Sequence, residues 1–102
     1  MSGENFQKAV LEDKQAALIE FWAPWCTYCR RLGPVMEQVA KQYGPRLLIE
    51  QINTDEEPDL ARAYGIDAIP TLLFFREGRP QGAITAPESK AVIDAFLSAQ
   101  TV

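Results

Sequence analysis

The stretch Trp25-Cys26-Thr27-Tyr28-Cys29 decides how the rest of the chain is interpreted, because it holds the only two cysteines. It joins two different patterns of apolar residues. Residues 17–22 form an almost continuous apolar run, which is typical of a strand buried on both faces. From Leu32 to Tyr43 the apolar residues recur with the helical period. The stretch therefore predicts a cysteine pair at the junction between a buried strand and a helix.

The length and composition of the chain limit the classes of protein to which it can belong. The 102 residues predict a single domain over residues 1–102, and 47% hydrophobic with 24% charged residues is ordinary for a soluble globular protein. The net charge of −4 and the dispersed basic residues argue against nucleic-acid binding. No apolar run approaches the roughly 20 residues of a membrane span, and no secretion signal is visible. We expect a cytoplasmic protein, in which two cysteines indicate redox or metal chemistry.

The rest of the chain predicts four strands and four helices in the order α-β-α-β-α-β-β-α. The strands are expected at residues 17–22, 47–53, 71–75 and 80–85, and the helices at 3–12, 26–43, 58–64 and beyond a cap at Thr85. The last helix is expected to bury Val92, Ile93, Phe96 and Leu97. Helices between the early strands imply parallel pairing, and the short turn at residues 76–79 implies an antiparallel hairpin. We therefore expect one mixed α/β sheet flanked by helices.

The position of the two cysteines indicates their chemistry. Cys26 is expected at a helix N-terminus, where the unpaired N–H groups lower the pKa of a thiol below its usual value of about 8.5. Cys29 follows one turn later and is expected to be more buried. The Cys26 thiolate would attack a substrate disulfide, and Cys29 would resolve the mixed disulfide. A zinc site needs four ligands, whereas the chain has two cysteines and no histidine, so metal binding would require two chains or several carboxylates.

Motifs along nearly the whole chain resemble those of the thioredoxin family. The matching stretches are residues 21–26 (FWAPWC) with Cys29, Pro34, residues 53–55 (NTD), residues 64–66 (YGI), residues 69–71 (IPT), and Glu77-Gly78. This resemblance implies a thioredoxin fold and a thiol–disulfide oxidoreductase that acts on disulfide-containing proteins. It also implies no bound cofactor beyond a Cys26–Cys29 disulfide, and electrons supplied by a thioredoxin reductase or another donor.

The resemblance also assigns roles to residues outside the cysteine pair. Pro70 corresponds to a cis-proline that faces the cysteines, and Ile69 is the candidate for backbone contact with the substrate chain. Trp25 and Tyr28 would form an apolar docking surface with this loop and Ala86. Glu20 stands where the family has a buried aspartate that assists proton transfer to and from the resolving cysteine. Burial should raise the pKa of Glu20, the more so because Gln51 replaces a lysine of the family.

Two further departures from the family pattern alter the expectations. Thr27-Tyr28 replaces the usual Gly-Pro between the cysteines, which predicts a less reducing protein than a typical thioredoxin. Only about five residues precede Phe6, so the family's first strand is expected to be absent. Residues 47–53 would then form an exposed edge of a four-stranded sheet. We expect a monomer, with a dimer through this edge as the alternative.

Two other functions are compatible with the same sequence. The chain could be a peptide-binding or chaperone-like module of thioredoxin fold with little redox turnover. Alternatively, its dithiol could bridge a metal ion or an iron–sulfur cluster between two chains. Insulin reduction with a Cys26→Ser control separates the first alternative from an oxidoreductase, and bound metal or colour would reveal the second.

Overall fold

A four-stranded mixed sheet forms the centre of the protein. The computed structural model describes residues 1–100, so the last two residues of the predicted domain lie outside the described part. The strands are β1 (Ala17–Trp22), β2 (Leu48–Asn53), β3 (Thr71–Arg76) and β4 (Arg79–Thr85). Their order in the sheet is β2-β1-β3-β4, which confirms the predicted α/β class, the four strands and the edge position of β2. Among residues 1–100, no helix is long and apolar enough to cross a membrane.

Four helical regions flank the sheet. They are α1 (Gly3–Phe6) with a π-helical continuation (Gln7–Glu12), α2 (Thr27–Tyr43), α3 (Pro58–Ala63) and α4 (Lys90–Gln100). A short 3-10 turn, Gly44–Arg46, follows α2. The first helix differs from a regular α-helix, because Asp13 N donates to the Lys8 carbonyl five residues earlier. Helix α2 ends as expected at Gly44, whose φ of +57° is unfavourable for other residues.

The apolar side chains of β1 divide the core into two clusters, one on each face of the sheet. Because side chains alternate along a strand, Ala17, Ile19 and Phe21 share one face and Leu18 points to the other. The first cluster contains Phe6, Val10, Ile52, Ala61, Leu73 and Phe75. The second contains Leu32, Met36, Val39, Leu47, Leu72, Phe74, Ile93 and Leu97. Helices α1 and α3 therefore cover one face, and α2 and α4 cover the other.

The length of each connecting helix explains the directions of the strands. Helix α2 has 17 residues and is about 25 Å long, enough to return the chain along the sheet, so β1 and β2 pair in parallel as predicted. Helix α3 has six residues and is only about 9 Å long, whereas a six-residue strand spans about 20 Å. The chain therefore enters β3 from the end at which it left β2. As a result β3 runs antiparallel to β1, and the prediction of a parallel strand after this helix is wrong.

The last helix begins later than the capping pattern predicts. Thr85 belongs to β4, where it pairs with Thr71 of β3, and so it cannot cap a helix. The hydroxyl of Ser89 instead accepts a hydrogen bond from Val92 N. Ile93 and Leu97 are buried as predicted, but Val92 is 40% exposed because it lies at the margin of the buried face. The hairpin turn agrees with the sequence, since Glu77 and Gly78 both have positive φ, of 56° and 76°.

Candidate active site

Both cysteines lie where β1 leads into α2, as the sequence predicts. Cys26 is the N-cap of α2, and its own N–H donates to the Ala23 carbonyl at 3.1 Å. Cys29 lies in the first helical turn. The two residues form a disulfide with Cα atoms 5.3 Å apart, within the usual range for a disulfide. The local helix geometry alone therefore brings the two sulfur atoms together.

The surroundings of the two sulfur atoms are different. Cys26 Sγ accepts a hydrogen bond from Cys29 N at 3.2 Å, and it lies at the N-terminus of a 17-residue helix. Both features stabilise negative charge on Cys26 once the disulfide is reduced. Cys26 is 9% exposed and Cys29 only 2%. An incoming disulfide can therefore reach Cys26 more easily than Cys29.

The loop before β3 contains the proline that the resemblance singles out. The Ile69–Pro70 peptide bond is cis, as expected for the family's proline. The Pro70 carbonyl accepts a hydrogen bond from Ala86 N at 2.8 Å, which ties this loop to the end of β4. The side chain of Pro70 is buried, whereas Ile69 is partly exposed. Within residues 1–100, the backbone of Ile69 makes no hydrogen bond to another backbone group.

Trp25 is the most exposed large apolar side chain beside the cysteines, with 69% of its surface accessible. Its indole Nε1 donates to both carboxylate oxygens of Asp55, at 3.1 and 3.4 Å. The backbone N–H of Asp55 in turn donates a hydrogen bond to Asn53 Oδ1 at 2.8 Å. The motif at residues 53–55 drew attention to this region, but the sequence did not reveal that Asp55 orients Trp25. This pair is separated by 30 residues and meets only in the folded chain.

An open groove runs beside Trp25 toward the proline loop. It has a volume of about 450 Å³. It is lined by Trp25, Thr54, Ala61, Ile66, Asp67, Ala68 and Ile69. Two of the predicted docking residues, Trp25 and Ile69, thus line the same groove, and Trp25 directly precedes Cys26 in the chain.

Tyr28 is placed differently from a simply exposed aromatic residue. Its side chain is half-buried, and its hydroxyl donates a hydrogen bond to the carbonyl of Pro87, 59 residues away. Pro87 is buried, and it directly follows Ala86, whose N–H donates a hydrogen bond to the Pro70 carbonyl. The phenol therefore connects the first turn of α2 to the loop between β4 and α4. The sequence did not identify Pro87, because no local pattern marks a carbonyl as a partner.

Glu20 is a fully buried carboxyl group in the middle of β1, with 0% of its surface exposed. It lies on the same face of the strand as Leu18, the face that α2 covers, and nearer the end from which the cysteine loop leaves. In the sheet register it is opposite Gln51 of β2. Gln51 Nε2 donates to Glu20 Oε1 at 2.8 Å, while Glu20 Oε2 has no hydrogen-bond partner among the described residues.

The environment of Glu20 determines where its proton resides. Burial raises the pKa of Glu20 above its ordinary value of 4.5, and the hydrogen bond from Gln51 offsets only part of this effect. The direction agrees with the expectation from the sequence. Because the amide N–H group can only donate, Oε1 must be the accepting oxygen of the neutral acid. When Glu20 is protonated, Oε2 is therefore the oxygen that carries the proton, because Oε1 accepts the hydrogen bond from Gln51.

The described residues offer no set of side chains arranged for a metal ion. Across residues 1–100, no group of three or more histidine, cysteine, aspartate or glutamate side chains is close enough together to hold one. Cys26 and Cys29 are bonded to each other instead.

Comparisons with known proteins agree with this geometry. The thioredoxin family profile matches residues 1–99. The chain is 37% identical over 100 residues to the thioredoxin of Acidithiobacillus ferridurans, covering 98% of this chain and 93% of that one. It is 39% identical over 89 residues to thioredoxin 1 of Synechococcus elongatus, covering 87% and 83%. It is 35% identical over 97 residues to thioredoxin 1 of a Nostoc species, covering 95% and 91%.

Together, the disulfide pair at the helix N-terminus and these matches define a thiol–disulfide oxidoreductase. The chain belongs to the thioredoxin family, and it has the variant sequence Cys-Thr-Tyr-Cys at the site.

Proposed function

We propose that this protein reduces disulfides in other proteins, with Cys26 as the attacking residue and Cys29 as the resolving residue. The observation that carries the proposal is the position of Cys26 Sγ. It caps α2, accepts the Cys29 N–H, and is the more accessible sulfur of the pair. A thiolate at this position is stabilised and still reachable by a substrate.

The proposed reaction proceeds by two successive exchanges. The Cys26 thiolate attacks one sulfur of the substrate disulfide, so that a Cys26–substrate disulfide forms and one substrate thiolate leaves. Cys29 then loses its proton and attacks Cys26 Sγ, which releases the second substrate thiolate and forms the Cys26–Cys29 disulfide. Two electrons pass to the substrate, which becomes a dithiol. A separate reductant must then reduce Cys26–Cys29 again.

Glu20 is proposed as the catalytic acid and base of the resolving step. In its ionised form the carboxylate accepts the Cys29 proton, and in its neutral form Oε2–H returns a proton in the reverse direction. Two features support this role: Oε2 is unpartnered, and Glu20 faces the helix that carries Cys29. The raised pKa of Glu20 brings its proton affinity closer to that of a thiol.

The substrate chain is proposed to dock in the groove beside Trp25. Ile69 supplies unpaired backbone groups, which can pair with an extended substrate segment. Trp25 supplies an exposed aromatic surface whose orientation is held by Asp55. Pro70 is buried and is proposed to shape this loop. Tyr28, whose hydroxyl donates to the Pro87 carbonyl, is proposed to contribute to the docking surface from the side of the β4–α4 loop.

We also propose an electron donor, a compartment and an oligomeric state for this protein. A flavin-containing thioredoxin reductase in the cytoplasm would keep the pair reduced, because the chain carries no nucleotide-binding motif of its own. We propose a monomer. The nitrogen of Met1 donates to the Gln51 carbonyl at 2.7 Å, which occupies one of the backbone groups that an edge-strand dimer would use.

Insulin reduction with dithiothreitol as electron donor tests the proposal. We expect the wild-type protein to accelerate the reaction, Cys26→Ser to abolish it, and Cys29→Ser to accumulate a mixed disulfide through Cys26. Because the chain contains no other cysteine, any trapped adduct of Cys29→Ser reports on Cys26 alone. Equal activity of wild type and Cys26→Ser would disprove the proposed function and favour a peptide-binding module.

A further inference from the structure

Tyr28 connects two active-site segments that are far apart in the sequence. It occupies the first turn of α2, immediately before Cys29, and its hydroxyl donates to the Pro87 carbonyl. The polar end of the phenol is therefore already engaged within the protein. Its ring is half-buried. These two facts argue that Tyr28 acts through the neighbouring loop more than by offering its own hydroxyl to a substrate.

The loop that Tyr28 holds has an unfavourable backbone conformation. Ala86 has φ of +48°, a region that residues with a Cβ atom rarely adopt. A residue before proline is further biased toward an extended conformation, and Ala86 precedes Pro87. Such a conformation persists only where surrounding contacts hold it. The sequence of the loop itself does not favour the structure that it has.

Two hydrogen bonds hold this loop, one on each side of the Ala86–Pro87 peptide bond. Ala86 N donates to the Pro70 carbonyl at 2.8 Å, and the Pro87 carbonyl accepts from Tyr28. Ala86 is thereby fixed against the cis-proline loop, whose neighbouring residue Ile69 lines the groove beside Trp25. Removing either bond would allow Ala86 to relax toward the extended region. The Pro70 carbonyl would then lose its partner as well.

We propose that Tyr28 is a positioning residue that fixes the Ala86–Pro87 segment against Pro70 and so favours polypeptide disulfides over small disulfides. The inference rests on the proposed function and specifies its substrate preference. A polypeptide must lie along the docking surface, so its binding depends on how well Ile69, Pro70 and Ala86 are ordered. A small disulfide needs only to reach Cys26 Sγ. Loss of the Tyr28 hydroxyl therefore weakens the preference for polypeptides.

Tyr28→Phe is the appropriate variant, because it removes only the hydroxyl and keeps the ring. Reduction of insulin and of hydroxyethyl disulfide is measured with dithiothreitol as donor for both. We expect the kcat/KM for insulin, divided by that for hydroxyethyl disulfide, to fall about fivefold, as for the loss of one hydrogen bond. The fall should come from a higher KM for insulin. Amide exchange of Ala86 should accelerate by about the same factor. Tyr43→Phe, at the far end of α2, is the matched control and should behave as the wild type.

The two readouts separate this proposal from the proposed function. Unchanged Ala86 exchange in Tyr28→Phe would overturn the proposal, whatever the activity of the protein. An equal loss of activity toward both disulfides would also overturn it, since it would mean that the hydroxyl acts on the cysteines themselves. A wild-type protein inactive toward insulin would refute the proposed function, and the substrate preference would fall with it. Faster Ala86 exchange together with the lower ratio would support the proposal.

Discussion

Replacing Glu20 with glutamine tests the proposed proton transfer with little change in shape. Glutamine has nearly the size of glutamate, and its carbonyl oxygen can still accept the hydrogen bond that Gln51 donates at 2.8 Å. The variant loses the ability of Oε2 to take up and release a proton. Because Glu20 is fully buried, solvent cannot readily take over the same role. A slower resolving step would therefore reflect the missing acid–base group.

General acid–base catalysis sets the size of the expected effect, and the burial of Glu20 sets its pH dependence. A positioned general base typically contributes 10²–10⁴-fold, and we expect about a 10²-fold slower attack by Cys29 in Glu20→Gln. In the wild type, the rate of resolution should rise with pH as Glu20 ionises, through a pKa raised above 4.5 by burial. The chain has no histidine to produce a similar inflection. The variant should therefore lack the inflection that belongs to Glu20.

Single-turnover measurements isolate the resolving step. The reduced protein is mixed with an excess of a disulfide peptide, the reaction is stopped by acid and alkylation, and the mixed disulfide is quantified over time. Its formation reports on Cys26 and its decay reports on Cys29. In Glu20→Gln we expect normal formation and slow decay, so that the mixed disulfide accumulates.

A second carboxyl-to-amide change provides the control. Glu50 lies beside Gln51 on β2 but is partly exposed, and Glu50→Gln should leave the decay of the mixed disulfide unchanged. The reasoning would be refuted if Glu20→Gln resolved its mixed disulfide as fast as the wild type, with the same pH profile. An equal slowing in both variants would instead indicate a general effect of lost negative charge.

Three other predictions follow from the same structure. Replacing Thr27-Tyr28 with Gly-Pro should make the reduction potential of the Cys26–Cys29 pair more negative in a glutathione titration. Each 1.4 kcal/mol of lost stabilisation of the reduced form corresponds to about 30 mV. A variant with the same potential as the wild type would contradict the proposed effect of Thr27-Tyr28. Glu20→Gln should stabilise the fold increasingly as pH rises above 4.5, because the unfolded wild type ionises Glu20 before the folded state does. This gain in the free energy of unfolding, measured by urea unfolding, should grow by at most about 1.4 kcal/mol per pH unit and should vanish below pH 4.5. A difference in stability between variant and wild type that does not change with pH would be evidence against a raised pKa of Glu20. Sedimentation at high concentration should give the mass of one chain, and a dimer would instead support pairing through β2.

The order of elements and the central chemistry of the site were predictable from local patterns. An apolar run of strand length, a helical period and a terminating glycine depend on residues close together in sequence, and each pattern recurs in the structure. The placement of Cys26 at the start of α2 belongs to the same class, because it needs only the strand before it and the helix after it. The burial of Glu20 was also predictable, since it interrupts a strand that is apolar on both faces.

Contacts between distant segments could not be predicted in the same way. The direction of β3 depends on α3 being too short to return the chain along the sheet, and the late start of α4 depends on Thr85 pairing with Thr71. The bond between Tyr28 and Pro87 joins residues that are 59 positions apart, and a carbonyl acceptor has no sequence signature. The sequence by itself thus determined the reactive cysteine pair and its position at a helix end. Only tertiary packing decided which groups surround that pair, because those groups meet through the sheet register and the packing of loops.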